Sequence, residues 1–276
     1  MTQTADQYLA EVTAKYTPSS SQFDGAKGHR ESIQNRLNNS FGLHELFETG
    51  SLRHGTGVWL YSDADYMASL KGVKPSSEWT TLNKVKQELQ TRFPGTTIVV
   101  RRPAVVCKFS DGDVEVTPAY PIEGQGGYWI PDPLGGWMKT HPKEHNKYVN
   151  DANRKHNGAA KKLARQAKTW KYKCNVPVSS CYLEMRAAKY ADGESAWLPV
   201  LDLYRFLDGL LSQRLASMND PTGLGSRFNA TSSDSNHVDA ISKLTTAVSR
   251  ARKAWSFESE GKQIDAIKQL KLLFNQ

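Results

Sequence analysis

The chain has 276 residues, 38% of them hydrophobic and 23% charged, which is the composition of an ordinary soluble protein with ample core for one large domain or two small ones. The formal net charge of +8 indicates an anionic partner, without choosing among nucleotide, nucleic acid and membrane surface. No apolar run approaches the length needed to cross a bilayer, and residues 1–6 lack the order of a signal peptide, so we expect a cytoplasmic protein without a membrane partner.

The first predicted elements are a helix and a strand. Ser19-x-x-Gln22 is a capping box, which predicts that a helix begins there and fades at Asn38-Asn39. The apolar positions of this helix are Phe23, Ile33 and Leu37. Leu43–Thr49 then predicts a strand that leads into Gly50-Ser51.

Gly50 and Ser51 form a predicted turn at the strand end, and Asp63 and Asp65 follow about a dozen residues later. Alternate side chains of a strand share a face, so the two carboxylates point together as hard oxygen ligands for Mg²⁺. Gly50 lets the backbone approach phosphate, and Ser51 adds backbone and hydroxyl donors. The stretch therefore predicts a site for a triphosphate and its metal ions, the alternative being a solvent-exposed, Asp-rich turn.

A helix and a hairpin are predicted next. Residues 78–92 form the helix, with Leu82, Val85 and Leu89 at helical spacing. The β-branched stretches 97–100, 104–109 and 113–117 predict strands, with Asp111-Gly112 as the two-residue turn between the last two. In the third strand Asp113 and Glu115 share a face.

The aromatic segment 124–137 is rich in Gly and Pro and has two interpretations: a loop beside a nucleobase, or a connector whose aromatics fill the join between two lobes. The connector is favoured. Lysine and arginine then dominate residues 139–173, which suggests a lobe boundary. Lys161, Arg165 and Lys168 fall at i, i+4 and i+7 of a predicted helix, so they form one stripe. Such a stripe is usually a solvated face, but it would bind polyphosphate if it faced the carboxylates.

The rest of the chain predicts helices at about 180–190, 197–218, 236–257 and 262–274. In the last of them Ile267, Leu270 and Phe274 predict an apolar face that packs the helix onto the protein. The three cysteines are odd in number and lack metal-ligand spacing, which predicts reduced, buried thiols. They are Cys107, Cys174 and Cys181.

Gly50-Ser51 with Asp63-x-Asp65 resembles the signature of the polymerase-β-type nucleotidyltransferases. In that superfamily a third carboxylate comes from a neighbouring strand, commonly in an Asp-h-h-Pro-a-a pattern, where h is apolar. The register against Pro118 selects Glu115. Glutamate replaces the more usual aspartate, so Asp113 remains the alternative.

The second half narrows the resemblance. Lys168-x-Trp170, followed by Ser180-x-x-Leu183-Glu184, is similar to the pattern of the cGAS/DncV-like nucleotidyltransferases, or CD-NTases. Further segments that look like this bacterial group are Pro118-Ala119-Tyr120, residues 128–132, Trp137, Thr140-His141-Pro142 and Asp220-Pro221. The resemblance implies an α+β fold: a polymerase-β-like core, with a mixed sheet and flanking helices, over residues 1–138 with an N-terminal helix, and a helical lobe over 139–276.

The resemblance also implies an activity. Asp63, Asp65 and Glu115 would hold Mg²⁺, with Mn²⁺ as the alternative ion. The residues that would bind the nucleotide are Gly50, Ser51, Lys168 and Ser180. Such enzymes join NTP substrates into cyclic or linear oligonucleotide second messengers in bacterial antiphage signalling, and a separate effector protein senses the product.

Two rival hypotheses stay open. One is a nucleotidyltransferase of the same fold that modifies RNA ends or a protein. The other is a non-catalytic, basic nucleic-acid-binding protein. A nucleic-acid activator is an alternative that the sequence does not indicate, because base-stacking and sequence-reading modules are not recognisable in it.

Overall fold

The first half of the chain is built on a mixed sheet. The computed structural model describes residues 2–19 and 24–276, so Gln22 of the predicted capping box and Phe23 of the predicted helix lie outside the described residues. The strands are β1 (Leu43–Glu48), β2 (Ala64–Leu70), β3 (Thr97–Arg101), β4 (Ala104–Phe109), β5 (Gly112–Ile122), β6 (Gly127–Pro131) and β7 (Trp137–Thr140). Their order is β1-β2-β5-β4-β3, with β6 beside β5 and β7 beside β6. Only β2 and β5 pair in parallel among these described strands.

Helices flank the sheet and form the second half. In the described residues they are α1 (Ala5–Lys15), α2 (Asp24–Phe41), α3 (Gly50–His54), α4 (Glu78–Arg92), α5 (Pro142–Lys155), α6 (Ala159–Lys173), α7 (Ser180–Gly193), α8 (Pro199–Ser212), α9 (Asp234–Ser259) and α10 (Gln263–Leu273). The predicted α+β class, with a C-terminal set of helices, is confirmed. None of the described helices is both long and apolar enough to cross a membrane.

The sheet packs against α2 and α4. Leu82, Val85 and Leu89, the predicted apolar face of α4, are all 0% exposed, as are Ile33 and Leu37 of α2. They belong to one hydrophobic cluster with the inward-facing residues of β2, β4 and β5. Each such side chain stabilises the fold by about 1.5–3 kcal/mol relative to an exposed position. This packing fixes the side of the sheet that is left for the polar site.

The N-terminal helix α1 is absent from the sequence predictions. Thr4 Oγ1 accepts from the Gln7 backbone N–H, and Gln7 Oε1 accepts from that of Thr4, which is a complete capping box. The buried Leu9 and Val12 of α1 join the cluster formed by the C-terminal helices. By packing, this helix therefore belongs with the helical half, and the division at residues 138/139 stays a prediction.

Two local predictions were wrong. The segment 124–137 is not an irregular connector, because it supplies β6 and the start of β7, and Tyr128 pairs with Thr140. The hairpin turn lies one residue earlier than predicted, since Phe109 pairs with Gly112 and leaves Ser110-Asp111 as the loop.

The prediction for the terminal helix is confirmed, whereas the prediction of buried cysteines holds for only one of the three. The predicted apolar face of α10 is confirmed: Leu270 and Phe274 are fully buried. All three cysteines are free thiols, but only Cys107 is buried, Cys174 is partly buried and Cys181 is exposed.

Candidate active site

Three carboxylates meet where β2 and β5 run side by side. In the parallel register Asp65 lies opposite Glu115, so their side chains share a face of the sheet. Asp63 precedes β2 by one residue, and Arg101 Nη2 donates to Asp63 Oδ2 at 3.2 Å and also to Glu115. The structure thus brings Asp63, Asp65 and Glu115 together. Asp113, the alternative, pairs with Lys108 one alternate position further towards the hairpin.

The carboxylates repel one another. Burial, and then the charge of Glu115, raises the pKa of Asp63 to about 7. Burial, followed by Glu115 and Asp63, raises the pKa of Asp65 well above its ordinary value. The site therefore holds more negative charge than the single Arg101 guanidinium offsets. A cation bound among these oxygens would relieve the repulsion.

The donor set fits a hard divalent cation such as Mg²⁺, because it consists of carboxylate oxygens. Within residues 2–19 and 24–276, however, no three His, Cys, Asp or Glu side chains are already arranged as a metal site. Arg101 bridges Asp63 and Glu115 instead. The residues therefore suit the ion chemically, while the guanidinium occupies part of the space between two of them.

Gly50 and Ser51 differ from the predicted turn, because they begin the short helix α3 after the extended residue Thr49. Gly50 has φ +59°, and a Cβ at this position would collide with the Asp65 carboxylate. Thr49 N–H also donates to the Asp65 carbonyl at 2.9 Å. Glycine is therefore required for α3 to pass so close to the carboxylates.

Lys168, a predicted nucleotide-binding residue, is paired inside the protein. Its side chain is fully buried, and Nζ lies 2.5 Å from Glu184 Oε1 of α7. A buried ammonium must be paired, and this one is paired inside the protein. That Lys168 contacts a triphosphate stays a prediction, and in this structure its ammonium is paired with Glu184.

Arg165 of the predicted basic stripe is also turned inward, whereas Lys161 is only partly buried. Arg165 Nε donates to the Gly57 carbonyl, and Arg165 Nη2 to that of Gly55, each at 2.8 Å. Helix α6 is buried on most of its sides between α1, α5 and α7. Arg165 therefore fixes the segment that follows α3, and Arg165 and Lys168 do not form an open polyphosphate-binding face.

Lys171, which the predictions omit, lies beside Ser180. Lys171 Nζ donates to Ser180 Oγ at 2.7 Å, and the Tyr172 hydroxyl lies 3.1 Å from the same oxygen. Burial, and then the neighbouring Lys168, lowers the pKa of Lys171 to about 8. Burial chiefly raises the pKa of Tyr172, and the charge of Asp63 adds to the rise. The signal was present in the sequence as a second lysine three residues after Lys168.

A separate cavity of about 740 Å³ opens at the free edge of β1. Its lining includes Arg30, Glu45, Arg53 and Lys143, and none of the three carboxylates of the site. The cavity thus lies apart from the three carboxylates, which meet where β2 and β5 run side by side.

Comparison with known proteins gives a family and a fold. Residues 1–153 match the Second Messenger Oligonucleotide or Dinucleotide Synthetase (SMODS) domain. A probable cyclic nucleotide synthase of Bacillus cereus (strain VD146) is 26% identical over 157 residues, which are 54% of this chain and 47% of that protein. The chain thus spans about half the length of this relative.

Solved structures match over nearly the whole chain. CdnC of E. coli MS115-1, solved with ATP, has a TM-score of 0.79 at 18% identity and covers 98% of this chain and 97% of its own. DncV of Vibrio cholerae bound to 3′-deoxy ATP gives 0.77 at 12%, covering 99% and 95%. CdnG of Bradyrhizobium diazoefficiens with GTP gives 0.72 at 13%, covering 99% and 98%. At these identities the likeness shows the fold.

Proposed function

Because the chain belongs to the Second Messenger Oligonucleotide or Dinucleotide Synthetase family, we propose that it is a metal-dependent nucleotidyltransferase that joins NTPs into a cyclic or linear oligonucleotide second messenger. The observation that carries the proposal is the meeting of Asp63, Asp65 and Glu115 beside Gly50. The family and fold agree with the CD-NTase resemblance in the sequence.

The three carboxylates would hold the divalent ions, Mg²⁺ or Mn²⁺. When bound, such ions supply charge stabilisation to the attacking and leaving oxygens of an in-line displacement. Asp65 comes from β2 and Glu115 from its parallel neighbour β5, and Asp63 directly precedes β2, so the sheet positions all three ligands. Arg101 contacts both Asp63 and Glu115 and would compete with an ion for their oxygens.

The phosphates would be held from two sides. On one side, the close passage of Gly50 brings Ser51 next to the carboxylates. On the other, Lys171 and Ser180 present an ammonium and a hydroxyl that already contact each other at 2.7 Å. We assign the phosphate contact of α6 to Lys171, since Lys168 is buried. Positioning of this kind supplies about 7–11 kcal/mol of barrier lowering in well-oriented reactions.

The biological setting belongs to the same proposal. The solved proteins of similar fold come from E. coli, Vibrio cholerae and Bradyrhizobium diazoefficiens, which supports a bacterial signalling role. We place the product in antiphage signalling in the cytoplasm, where a separate effector protein senses it. Support for this part comes from the resemblance in sequence motifs.

The test is to incubate the purified protein with Mg²⁺ and all four NTPs and to resolve the products by mass. We expect a cyclic or linear oligonucleotide with wild type, none with Asp65→Asn, and retained synthesis with Asp113→Asn. Nucleotide attached only to added RNA ends or to a protein would favour the rival transferase. If the protein transfers no nucleotide under any condition but binds nucleic acid, the non-catalytic hypothesis would be favoured.

A further inference from the structure

Two tyrosine rings stack across the join between the sheet-based half and the helical half. Tyr61 lies in the turn before β2, and Tyr172 lies near the end of α6. Their ring centroids are 4.7 Å apart and their planes differ by 5°. Tyr172 covers one face of the Tyr61 ring, yet Tyr61 is still 37% exposed. The ring therefore keeps accessible surface away from Tyr172.

The turn that carries Tyr61 is held firmly. Tyr61 N–H and Ser62 N–H both donate to the Val58 carbonyl at 3.0 Å, and Val58 N–H donates to Ser62 Oγ at 2.8 Å. Val58 itself is fully buried in the cluster of the helical half. Leu60 takes φ +71°, which completes the tight turn. Tyr61 is thus an aromatic ring presented by a fixed turn, two residues before Asp63.

The Tyr61–Tyr172 stack adjoins the proposed phosphate contacts, Lys171 and Ser180. Lys171 Nζ lies 4.6 Å from the centre of the Tyr172 ring. The Tyr172 hydroxyl and Lys171 Nζ both contact Ser180 Oγ. An aromatic surface, a cation and a hydroxyl therefore adjoin one another, and Tyr61 is two residues before Asp63. These are the groups that bind a nucleoside triphosphate: a π surface for the base and donors for the phosphates.

We propose that the base of a bound nucleoside triphosphate stacks on the exposed face of Tyr61, with Tyr172 as the support behind the ring. The inference rests on the proposed function and names the residue that takes the base at that site. Every nucleobase has a π face, so Tyr61 accepts purines and pyrimidines alike and does not by itself select among them. Two stacked rings form a stiffer platform than one, because neither ring can rotate without losing its partner.

The inference is tested by binding, with two ligands that differ in the base. One is an ATP analogue with a methylene group between the α- and β-phosphates, which cannot be transferred. The other is inorganic tripolyphosphate, which has no base. Tyr61→Leu keeps the apolar bulk but removes the ring, and Tyr61→Phe keeps the ring. Affinities are measured by calorimetry in Mg²⁺ for wild type and both variants.

We expect Tyr61→Leu to weaken the analogue about tenfold, the size of one base–aromatic stack, and to leave tripolyphosphate within about twofold of wild type. Tyr61→Phe binds both like wild type. Equal losses for both ligands would show that the turn, not the base contact, was damaged, and unchanged analogue affinity in Tyr61→Leu would also overturn the inference.

The product assay separates this inference from the proposed function. Oligonucleotide made by wild type, with no base-dependent loss in Tyr61→Leu, would contradict the platform and leave the function standing. If Tyr61→Leu weakens the ATP analogue but not tripolyphosphate, and wild type makes no oligonucleotide, the platform would stand and the proposed function would be contradicted.

Discussion

Lys168 Nζ lies 2.5 Å from Glu184 Oε1, and both side chains are buried. Glu184 also accepts from the Thr56 hydroxyl at 2.6 Å and lies 2.9 Å from His54 Nδ1. Burial alone would raise the pKa of Glu184, but Lys168 and His54 outweigh it and hold the pKa well below its ordinary value. The two charged residues of the Lys-x-Trp and Ser-x-x-Leu-Glu motifs are therefore partners of each other, and together they fasten α6 and α7 to the segment after Gly50.

Lys168→Met should lower the free energy of unfolding by about 3–5 kcal/mol, because it leaves Glu184 buried without its main counter-charge. The double variant Lys168→Met/Glu184→Leu should recover a large part of this loss. Urea unfolding measures both. The matched control is Lys268→Met, whose pair with Asp265 is exposed and should matter by less than about 1 kcal/mol. A stable Lys168→Met protein that no longer binds NTP would restore the triphosphate role to Lys168.

Lys171 gives a prediction about pH. Its pKa of about 8 means that it carries a charge below pH 8 and loses it as the pH rises. A triphosphate favours the charged form, so its affinity should fall above pH 8, by up to about tenfold per pH unit for one linked proton. Lys171→Arg stays charged throughout. Calorimetry with the non-transferable ATP analogue from pH 7 to 9.5 should show a slope in wild type and a flat line in Lys171→Arg, and equal slopes would remove Lys171 from the phosphate site.

The raised pKa of Asp63 predicts that its ionisation lowers the free energy of unfolding. The pKa of Asp63 is raised from 3.8 to about 7 in the folded protein, so between these values the folded state binds more protons than the unfolded state. The contribution of Asp63 to stability is therefore lost as the pH rises from about 4 to 7. In chelator, Asp63→Asn should match wild type near pH 4 and exceed it above pH 7 by about 1 kcal/mol, after solvent screening.

Adding Mg²⁺ provides the control for this prediction, because an ion held by Asp63 should stabilise wild type more than Asp63→Asn. Thermal unfolding with and without the ion measures the difference. Equal stabilisation of both proteins would argue against Asp63 as a ligand.

The convergence of Asp63, Asp65 and Glu115 agrees with the expectation from the sequence, whereas the burial of Lys168 was not expected, and the difference has a physical reason. The pattern around Pro118 in the superfamily that the sequence resembles selects Glu115, with Asp113 as the alternative, and the register of β2 and β5 then places Glu115 opposite Asp65. The exposed side of α6 depends on what surrounds the helix. Neither the burial of Lys168 by α7 nor the placement of Lys171 beside Ser180 can be read from helical spacing alone.

Helix α1 and strands β6 and β7 were also not predicted from the sequence. The capping box at Thr4 and Gln7 is a local signal that was present in the sequence and was overlooked. Strands β6 and β7 are short, rich in turn residues and paired beyond the main path of the sheet, so their patterns are weak and tertiary pairing decides them. The fold class was predictable because long, periodic segments such as α4 dominate it.

The closeness of Gly50 to Asp65 gives the last prediction. Gly50→Ala would place a methyl group against the Asp65 carboxylate and hold a non-glycine residue at φ +59°, which costs about 1–3 kcal/mol of strain. The carboxylate or α3 has to move, so we expect both the rate of oligonucleotide synthesis and the melting temperature to fall. Gly28→Ala in α2 is the matched control, because a Cβ there has no atom within 4 Å, and alanine should stabilise the helix by about 0.5–1 kcal/mol. Product formation by mass and thermal unfolding are measured on both variants, and a Gly50→Ala protein with wild-type turnover would show that the approach of α3 to Asp65 is not needed for the reaction.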